Sequence, residues 1–338
     1  MRARNRAARG IILITVLFFI ALLASGVATF LRRATLDGVI VRNRDLTQRC
    51  EALARGGVRL ATALLLQDRL NEAEGLPLET RKDLWALVGH LDLPTSDGGR
   101  LRLRIEDASA RLNLNGLFDE EGAAHSDAEA FLTAFLEKVI AEIPMRTEEK
   151  LYDPAELARN LLDYTDADDV EQRGDAEDDY YQRQSPAYRA ANRPLLSIDE
   201  LGLVEGFDRA LVDAIRLYAT VYPYTGGGIN PNTAPTHVLA ALYHGPPGDK
   251  RLVDEDTVRR ILTSRGGEGM LCPEDVNSPE CTILLDLGID GVYPPDTYTS
   301  NVFHVSAEAR YGDVRRTIDV VLDRSTATSP LILSWRVR

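Results

Sequence analysis

An uncharged, mostly apolar run from Ile11 to Leu31 follows directly on an arginine-rich decapeptide that ends at Gly10. At helical rise its twenty-one residues cover roughly 30 Å, the thickness of a bilayer's hydrocarbon core, whereas the apolar region of a secretory signal needs only about 7 to 15 residues. The length predicts a retained membrane anchor. A cleaved signal is the competing reading, because Ser25, Gly26 and Ala28 supply small residues beyond a core of Ile11 to Leu23. Arg2, Arg4, Arg6 and Arg9 favour a cytoplasmic leader by the positive-inside rule. Arg32, Arg33, Arg42 and Arg44 follow just past the segment and blur that asymmetry.

Beyond the anchor, Leu36, Val39, Ile40, Leu46, Cys50, Leu53, Leu60 and Leu64 recur at intervals of three and four, which predicts an amphipathic helix continuous with the membrane segment and fading near Gly75 and Pro77. After Ser96-Asp97-Gly98-Gly99 the period changes to two. Leu101, Leu103 and Ile105 alternate with Arg100, Arg102 and Arg104, the pattern of a half-buried antiparallel strand. The same period returns only near the end, with Phe303, Val305 and Ala307, a turn at Gly312-Asp313, then Ile318, Val320 and Leu322.

Between these strands the chain reads as short helices: 131–143, 154–164, 197–204 and 210–219, then, after Gly226-Gly227-Gly228, 234–243 and 254–265. Ser197 and Glu200 have the spacing of a capping box. Asn230, Asn232 and Thr233 are placed to cap the helix that follows, and the triple glycine to act as a hinge. The expected fold class is therefore α+β: a long N-terminal helix packed on a small antiparallel sheet, carrying a large mainly helical insertion of two SAM-like or helix-hairpin-helix-like subdomains. The corresponding segments are a leader at 1–10, a transmembrane part at 11–31, helix and first strand at 32–111, helical subdomains at 112–224 and 225–298, C-terminal strands at 299–324 and a tail at 325–338.

The formal charge of −13 is concentrated in the acidic stretch from Asp153 to Glu200, which argues against a nucleic-acid partner. Asp163, Asp166, Asp168, Asp169, Asp175, Glu177, Asp178 and Asp179 are hard oxygen donors on a loop leaving a helix, and calcium is the cation such a set suits. Val170 and Glu171 break the EF-hand register, and a solvated acidic loop is the alternative. Tyr164, Tyr180, Tyr181 and Tyr188 are expected to pack beneath it. Cys272 and Cys281 bracket a short loop and read as a local disulfide if the body lies outside the cytoplasm, with zinc as the less supported alternative; Cys50 is left over in the helix. His90, His125, His237, His244 and His304 are scattered, without a metalloprotease or nucleophile-elbow motif, so no enzyme is expected. A membrane-anchored, calcium-dependent periplasmic hydrolase is the alternative from another class.

Five stretches in order, Asp107-Ala-Ser-Ala-Arg-Leu-Asn-Leu-Asn115, Asn160-Leu-Leu-Asp-Tyr-Thr-Asp-Ala-Asp168, Gly174-Asp-Ala-Glu-Asp-Asp-Tyr-Tyr181, Ser197-Ile-Asp-Glu-Leu201 and Ile229-Asn-Pro-Asn-Thr-Ala-Pro235, resemble the general secretion pathway protein K family, the large minor pseudopilins of type II secretion systems. The resemblance covers Gly10 to Arg324. It implies a single-pass protein of the bacterial inner membrane, N-terminus cytoplasmic and body periplasmic, at the tip of a pseudopilus beside I- and J-type minor pseudopilins. It further implies cleavage after Gly10 by the prepilin peptidase, methylation at Ile11, contact with the inner-membrane secretion platform, and calcium held by residues such as Asp166, Asp168, Glu177 and Asp178. The fifth mature position, glutamate in most pilin-like proteins, is Thr15 here, a departure characteristic of this branch and one that bears on assembly.

Overall fold

The computed structural model describes residues 4–72, 77–89, 92–143, 152–167, 178–276, 278–326 and 329–338, with side chains from residue 13 onward except at 72 and 178. Helix α1 (Arg4–Glu72) runs unbroken for 69 residues, about 100 Å at helical rise. Its segment from Leu13 is long and apolar enough to cross a membrane, and none of its most apolar window is buried. Only the last third meets the rest of the protein. There Cys50, Ala54, Val58, Ala61 and Leu65 are buried, spaced by three and four along one face.

That face differs from the expected one. Leu36, Val39 and Ile40 remain 53%, 55% and 47% exposed because they precede the part of α1 that meets the sheet, and Leu60 is 38% exposed because it lies off the contact face. Gly57 lies at the closest approach: a Cβ there would sit 2.8 Å from Leu101 Cδ1 and 3.1 Å from the Ala307 Cβ. The larger leucines flank the contact instead of filling it.

Helix α2 (Leu84–Val88) buries Trp85 edge-on against Phe303, with ring centroids 5.1 Å apart. The sheet begins with β1 (Asp92–Pro94) and β2 (Arg100–Asp107), whose burial alternates as the period of two predicts. At Asp107 the chain leaves the sheet. It passes through β3 (Leu112–Asn113), α3 (Ala128–Glu142), α4 (Pro154–Thr165), α5 (Asp178–Gln182), a 3-10 turn at Ile198–Leu203, α6 (Arg209–Ile215), β4 (Ala219–Thr220), α7 (Thr236–Leu239), β5 (Tyr243–His244), β6 (Arg251–Leu252), α8 (Glu255–Ser264), β7 (Met270–Leu271) and β8 (Cys281–Thr282). It returns in β9 (Val302–Tyr311), β10 (Val314–Asp323) and β11 (Leu331–Val337).

The five-stranded sheet has the order β1-β2-β9-β10-β11, every pair antiparallel. Leu103, Ile105, Val305, Ala307, Ile318 and Val320 form one core with the buried face of α1. The residues assigned to a tail supply β11, an edge strand joined to β10 with a register shift between Val321 and Leu322; that irregularity removes the simple alternation by which a strand is read.

The helical groups of the insertion share their core. Its buried residues, from Ala108 through Phe131, Leu162, Ile215, Leu239 and Ile261 to Val302, form one contiguous cluster. Strand β3 pairs with β4 and so fastens the start of the insertion to its middle. The triple glycine is a packed crossing and not a free hinge, since a Cβ on Gly228 would meet the Pro295 carbonyl oxygen at 2.3 Å. Only glycine lets the two backbones touch there.

Candidate functional site

Helix α4 leads into the acidic loop. Asp153 caps it, accepting from the N–H groups of Ala155 and Glu156 at 3.0 and 3.1 Å with Pro154 in the first turn, so the start of the helix is satisfied as its sequence demands. Asp166 stands at the other end, its N–H donating to the Leu162 carbonyl at 2.9 Å, with its side chain half-buried. Asp163 is buried. Asp168, Asp169, Asp175 and Glu177 lie outside the described residues, as does the side chain of Asp178, which opens α5. Tyr181 packs against Tyr164, Tyr180 and Tyr188 at centroid distances of 5.4, 5.2 and 5.4 Å. Burial, with nearby acidic charge, raises the Tyr164 phenol to about 12, so it stays neutral: these rings belong to the insertion's core.

The polar residues around the insertion's roots are fasteners. Asp107 is fully buried and accepts from the Ser109 N–H at 2.7 Å, from Asn230 Nδ2 at 3.1 Å and from Thr233 Oγ1 at 2.6 Å. Burial pushes its carboxyl above the ordinary range while these donors pull it back. Asn232 clasps Leu271 through both amide atoms at 2.8 Å, imitating a strand's paired bonds. The expectation that Asn230, Asn232 and Thr233 cap the next helix is corrected here: the N-cap of α7 is Pro235, without a side-chain hydrogen bond, because their partners lie far away in sequence. Asn115 likewise ties Leu195 and Val221 through three bonds of 2.8 to 2.9 Å. Asn113 reaches the carbonyls of Pro223 and Gly226, both at 2.8 Å.

Ser197 and Glu200 behave only partly as a capping box. Ser197 Oγ accepts from the Asp199 N–H at 3.2 Å, but Glu200 turns to the Leu196 N–H at 2.9 Å and to Arg193 at 2.7 Å. The element is a 3-10 turn. Arg336 of β11 reaches Asp199 at 2.9 Å and Ser197 Oγ at 3.0 Å, fastening the last strand to the insertion.

Arg324 gives no signal in the sequence. Its guanidinium, 1% exposed, pairs with Asp68 of α1 at 2.9 Å, contacts Glu79, donates to the carbonyls of Leu65 and Ser300, and lies 4.7 Å over the Phe303 ring. Asp68, Glu79 and Asp83 bring carboxylate oxygens within 4.8 Å of one another, a spacing that would suit a metal. The positive charge at that spot is the guanidinium. Arg324 therefore locks the last turns of α1 to the end of the sheet from which the insertion grows.

The disulfide Cys272–Cys281 is formed, with its Cα atoms 5.5 Å apart, beside the Asn232 clasp. Cys50 is a buried thiol of α1 near the Val314 carbonyl, and burial raises its pKa. His304 shares a 3.3 Å hydrogen bond with Thr220 on the wall of a cavity of about 350 Å³ between sheet and insertion. Burial and the nearby Arg111 depress it to about 4, which keeps it neutral. His237 bonds the Leu217 carbonyl at 3.0 Å, and His125 lies edge-on to Tyr293. His90 is outside the described residues. Gly10 belongs to α1 and Thr15 is exposed on its apolar part.

The family profile described as Type II secretion system (T2SS), protein K matches residues 110–224. The Type II secretion system protein K of Pseudomonas aeruginosa is 30% identical over 95% of this chain and 90% of its own length. That of Klebsiella pneumoniae is 31% identical over 78% and 77%. A solved structure, the GspK-GspI-GspJ complex from the enterotoxigenic Escherichia coli type 2 secretion system, superposes with a TM-score of 0.61 at 20% identity, covering 88% of this chain and 99% of the other.

Proposed function

Because this chain belongs to the protein K family of type II secretion systems and is a minor pseudopilin, we propose that it starts or caps the tip of a periplasmic pseudopilus, together with I- and J-type minor pseudopilins. One observation carries the reading. The insertion grows from the end of the sheet that Arg324, Asp68 and Arg69 hold against the last turns of α1, so the bulk of the protein sits at the end of the helix farthest from its apolar N-terminal part. A shaft subunit needs room for the next subunit at that end. A terminal one does not.

Thr15 supports the same position. In pilin-like assembly, as the family implies, the fifth-position glutamate of an arriving subunit neutralises the N-terminus of the one already in place. A first subunit has no predecessor, and a carboxylate there would bear the cost of charge in the bilayer. Threonine avoids that cost. Peptidase cleavage after Gly10, methylation at Ile11, contact with the inner-membrane platform and a periplasmic body belong to this reading, as do calcium at Asp166, Asp168, Glu177 and Asp178, SAM-like kinship of the helical groups and a structural, non-enzymatic role. Three of the described histidines, His304, His237 and His125, are engaged by a hydroxyl, a carbonyl and an aromatic ring, which favours it over a hydrolase. Gold-labelled antibody against the insertion should mark one end of isolated pseudopili. Label along the shaft, at the abundance of the major subunit, would sink the proposal.

A further inference from the structure

Two guanidiniums bond the turn that follows Asn230, and the ammonium of Lys82, next in sequence to Arg81, bonds a carbonyl four residues beyond Arg265. Arg81 donates Nε and Nη2 to the Thr233 carbonyl at 3.1 and 2.9 Å. Arg265 donates Nη1 to the carbonyls of Pro231 and Ala234 at 2.5 and 2.8 Å, and Lys82 donates Nζ to the Gly269 carbonyl at 2.8 Å. Among the described residues none of the three is ion-paired with a carboxylate, unlike Arg324, Arg336 or Lys250. Burial lowers the pKa of Arg81, and burial plus repulsion from Arg81 lowers Arg265 to about 10. In a chain of net charge −13, two neighbouring guanidiniums, Arg81 exposed and Arg265 half-buried, offered only neutral carbonyls make a local site of uncompensated positive potential.

A cleft of about 460 Å³ opens beside Arg81, between α2 and the insertion, with Arg81, Trp85, Leu87, Leu217 and Pro235 on its walls and Lys82 and Arg265 outside its lining. Leu87 and Leu217 are 58% and 63% exposed. The cleft's own carboxylates are committed: Glu106 to Arg111 and Arg104, Asp107 to Ser109, Asn230 and Thr233. Guanidiniums pair with carboxylates through directed, two-pronged bonds, and exposed apolar walls beside them suit a side chain two or three residues away. A phosphate polymer would need a longer track of cations and would meet the repulsion of the acidic body.

We propose that this cleft docks an acidic segment of a fellow minor pseudopilin, with a carboxylate seated at Arg81, Lys82 and Arg265 and an adjoining apolar side chain against Leu87 and Leu217. The proposal rests on the complex described under the proposed function and adds its point of contact. The test uses the full-length chain in detergent, titrated with the purified I- and J-type pseudopilins of the same system between 50 and 500 mM salt. Wild-type affinity should fall with salt. Arg81→Glu with Arg265→Glu should lose at least tenfold at low salt and flatten the salt dependence, and Lys82→Glu, at an exposed position that leaves the turn intact, should lose severalfold in the same direction. A photo-crosslinking residue at Leu87 should capture a partner peptide containing Asp or Glu. Wild-type-like binding and salt dependence in the variants, or crosslinks only to detergent or to a second copy of this chain, would overturn the proposal. Failure of the wild-type chain to bind either pseudopilin would overturn the complex itself, and no variant is needed to see it.

Discussion

Asn230 donates to Asp107 across 123 positions of sequence, at 3.1 Å, in a place from which water is excluded. The bond joins the last residue of β2 to the middle of the insertion, so sheet and insertion are stitched where they part. Asp107→Ala leaves the Ser109 N–H, the Asn230 amide and the Thr233 hydroxyl without this acceptor. Stranded buried donors cost about 1–3 kcal/mol each, and with partial hydration the sum should come to about 3 kcal/mol. Denaturant unfolding of the solubilised chain measures it; a loss below about 1 kcal/mol would show that the junction is held by packing alone.

Gly57 and its neighbour make a matched pair. A side chain at Gly57 meets Leu101 and Ala307, whereas one at Gly56 meets nothing within 4 Å. Gly57→Leu should destabilise by about 2–3 kcal/mol through overpacking, while Gly56→Ala should stabilise by about 0.5–1 kcal/mol through helix propensity. Equal effects would mean that α1 does not approach the sheet as described.

His304 makes stability sensitive to acid. Its folded pKa, about 4, lies below the ordinary 6.5, so between those values the unfolded chain takes up a proton that the folded chain refuses. The contribution is complete above pH 6.5 and is lost as pH falls toward 4, by about 2–3 kcal/mol. His304→Gln should flatten that part of the stability curve relative to wild type. Parallel curves for the two proteins would assign the acid sensitivity elsewhere.

Calcium at millimolar concentration should raise the melting temperature, since a cation relieves repulsion among the carboxylates leaving α4. Asp166→Asn with Asp168→Asn should reduce the shift. Absence of any shift, and of bound metal by elemental analysis, rejects calcium binding.

The Cys272–Cys281 bond closes a loop with a sequence separation of 9, next to the strand that Asn232 clasps. Replacing both cysteines by alanine should cost about 2–3 kcal/mol in the chain-entropy description. Unreduced peptide mapping should find the cross-link, and two free thiols in protein from its native compartment would contradict it.

What could be read from sequence was what is locally written. The apolar part of α1 is a run, and β2, β9 and the start of β10 are alternations, each visible within about twenty residues. Asn232 and Thr233 look like caps in the sequence because capping is a local rule, whereas their partners Leu271 and Asp107 lie 39 and 126 positions away. Arg324 sits just past a strand with no periodicity to mark it, and its partners Asp68 and Glu79 belong to the opposite end of the chain. Of the buried face of α1 the spacing of large apolar residues picks out Cys50 but not Ala54, Gly57 and Ala61, small residues that carry little weight in a hydrophobic pattern.

Strand β2 pairs with β9, Arg100 facing Arg310 and Asp107 facing Phe303, and everything between Asp107 and Val302 must be made before those partners exist. At synthesis rates of about 5–20 residues per second the wait is on the order of ten to forty seconds. Through that interval β2 has one ladder unfilled and the small-residue face of α1 lies bare. The nascent chain thus passes through a period in which its long helix is finished and its sheet is not: a chain cut short anywhere before β9 keeps the apolar helix but lacks the strands that close the sheet over it.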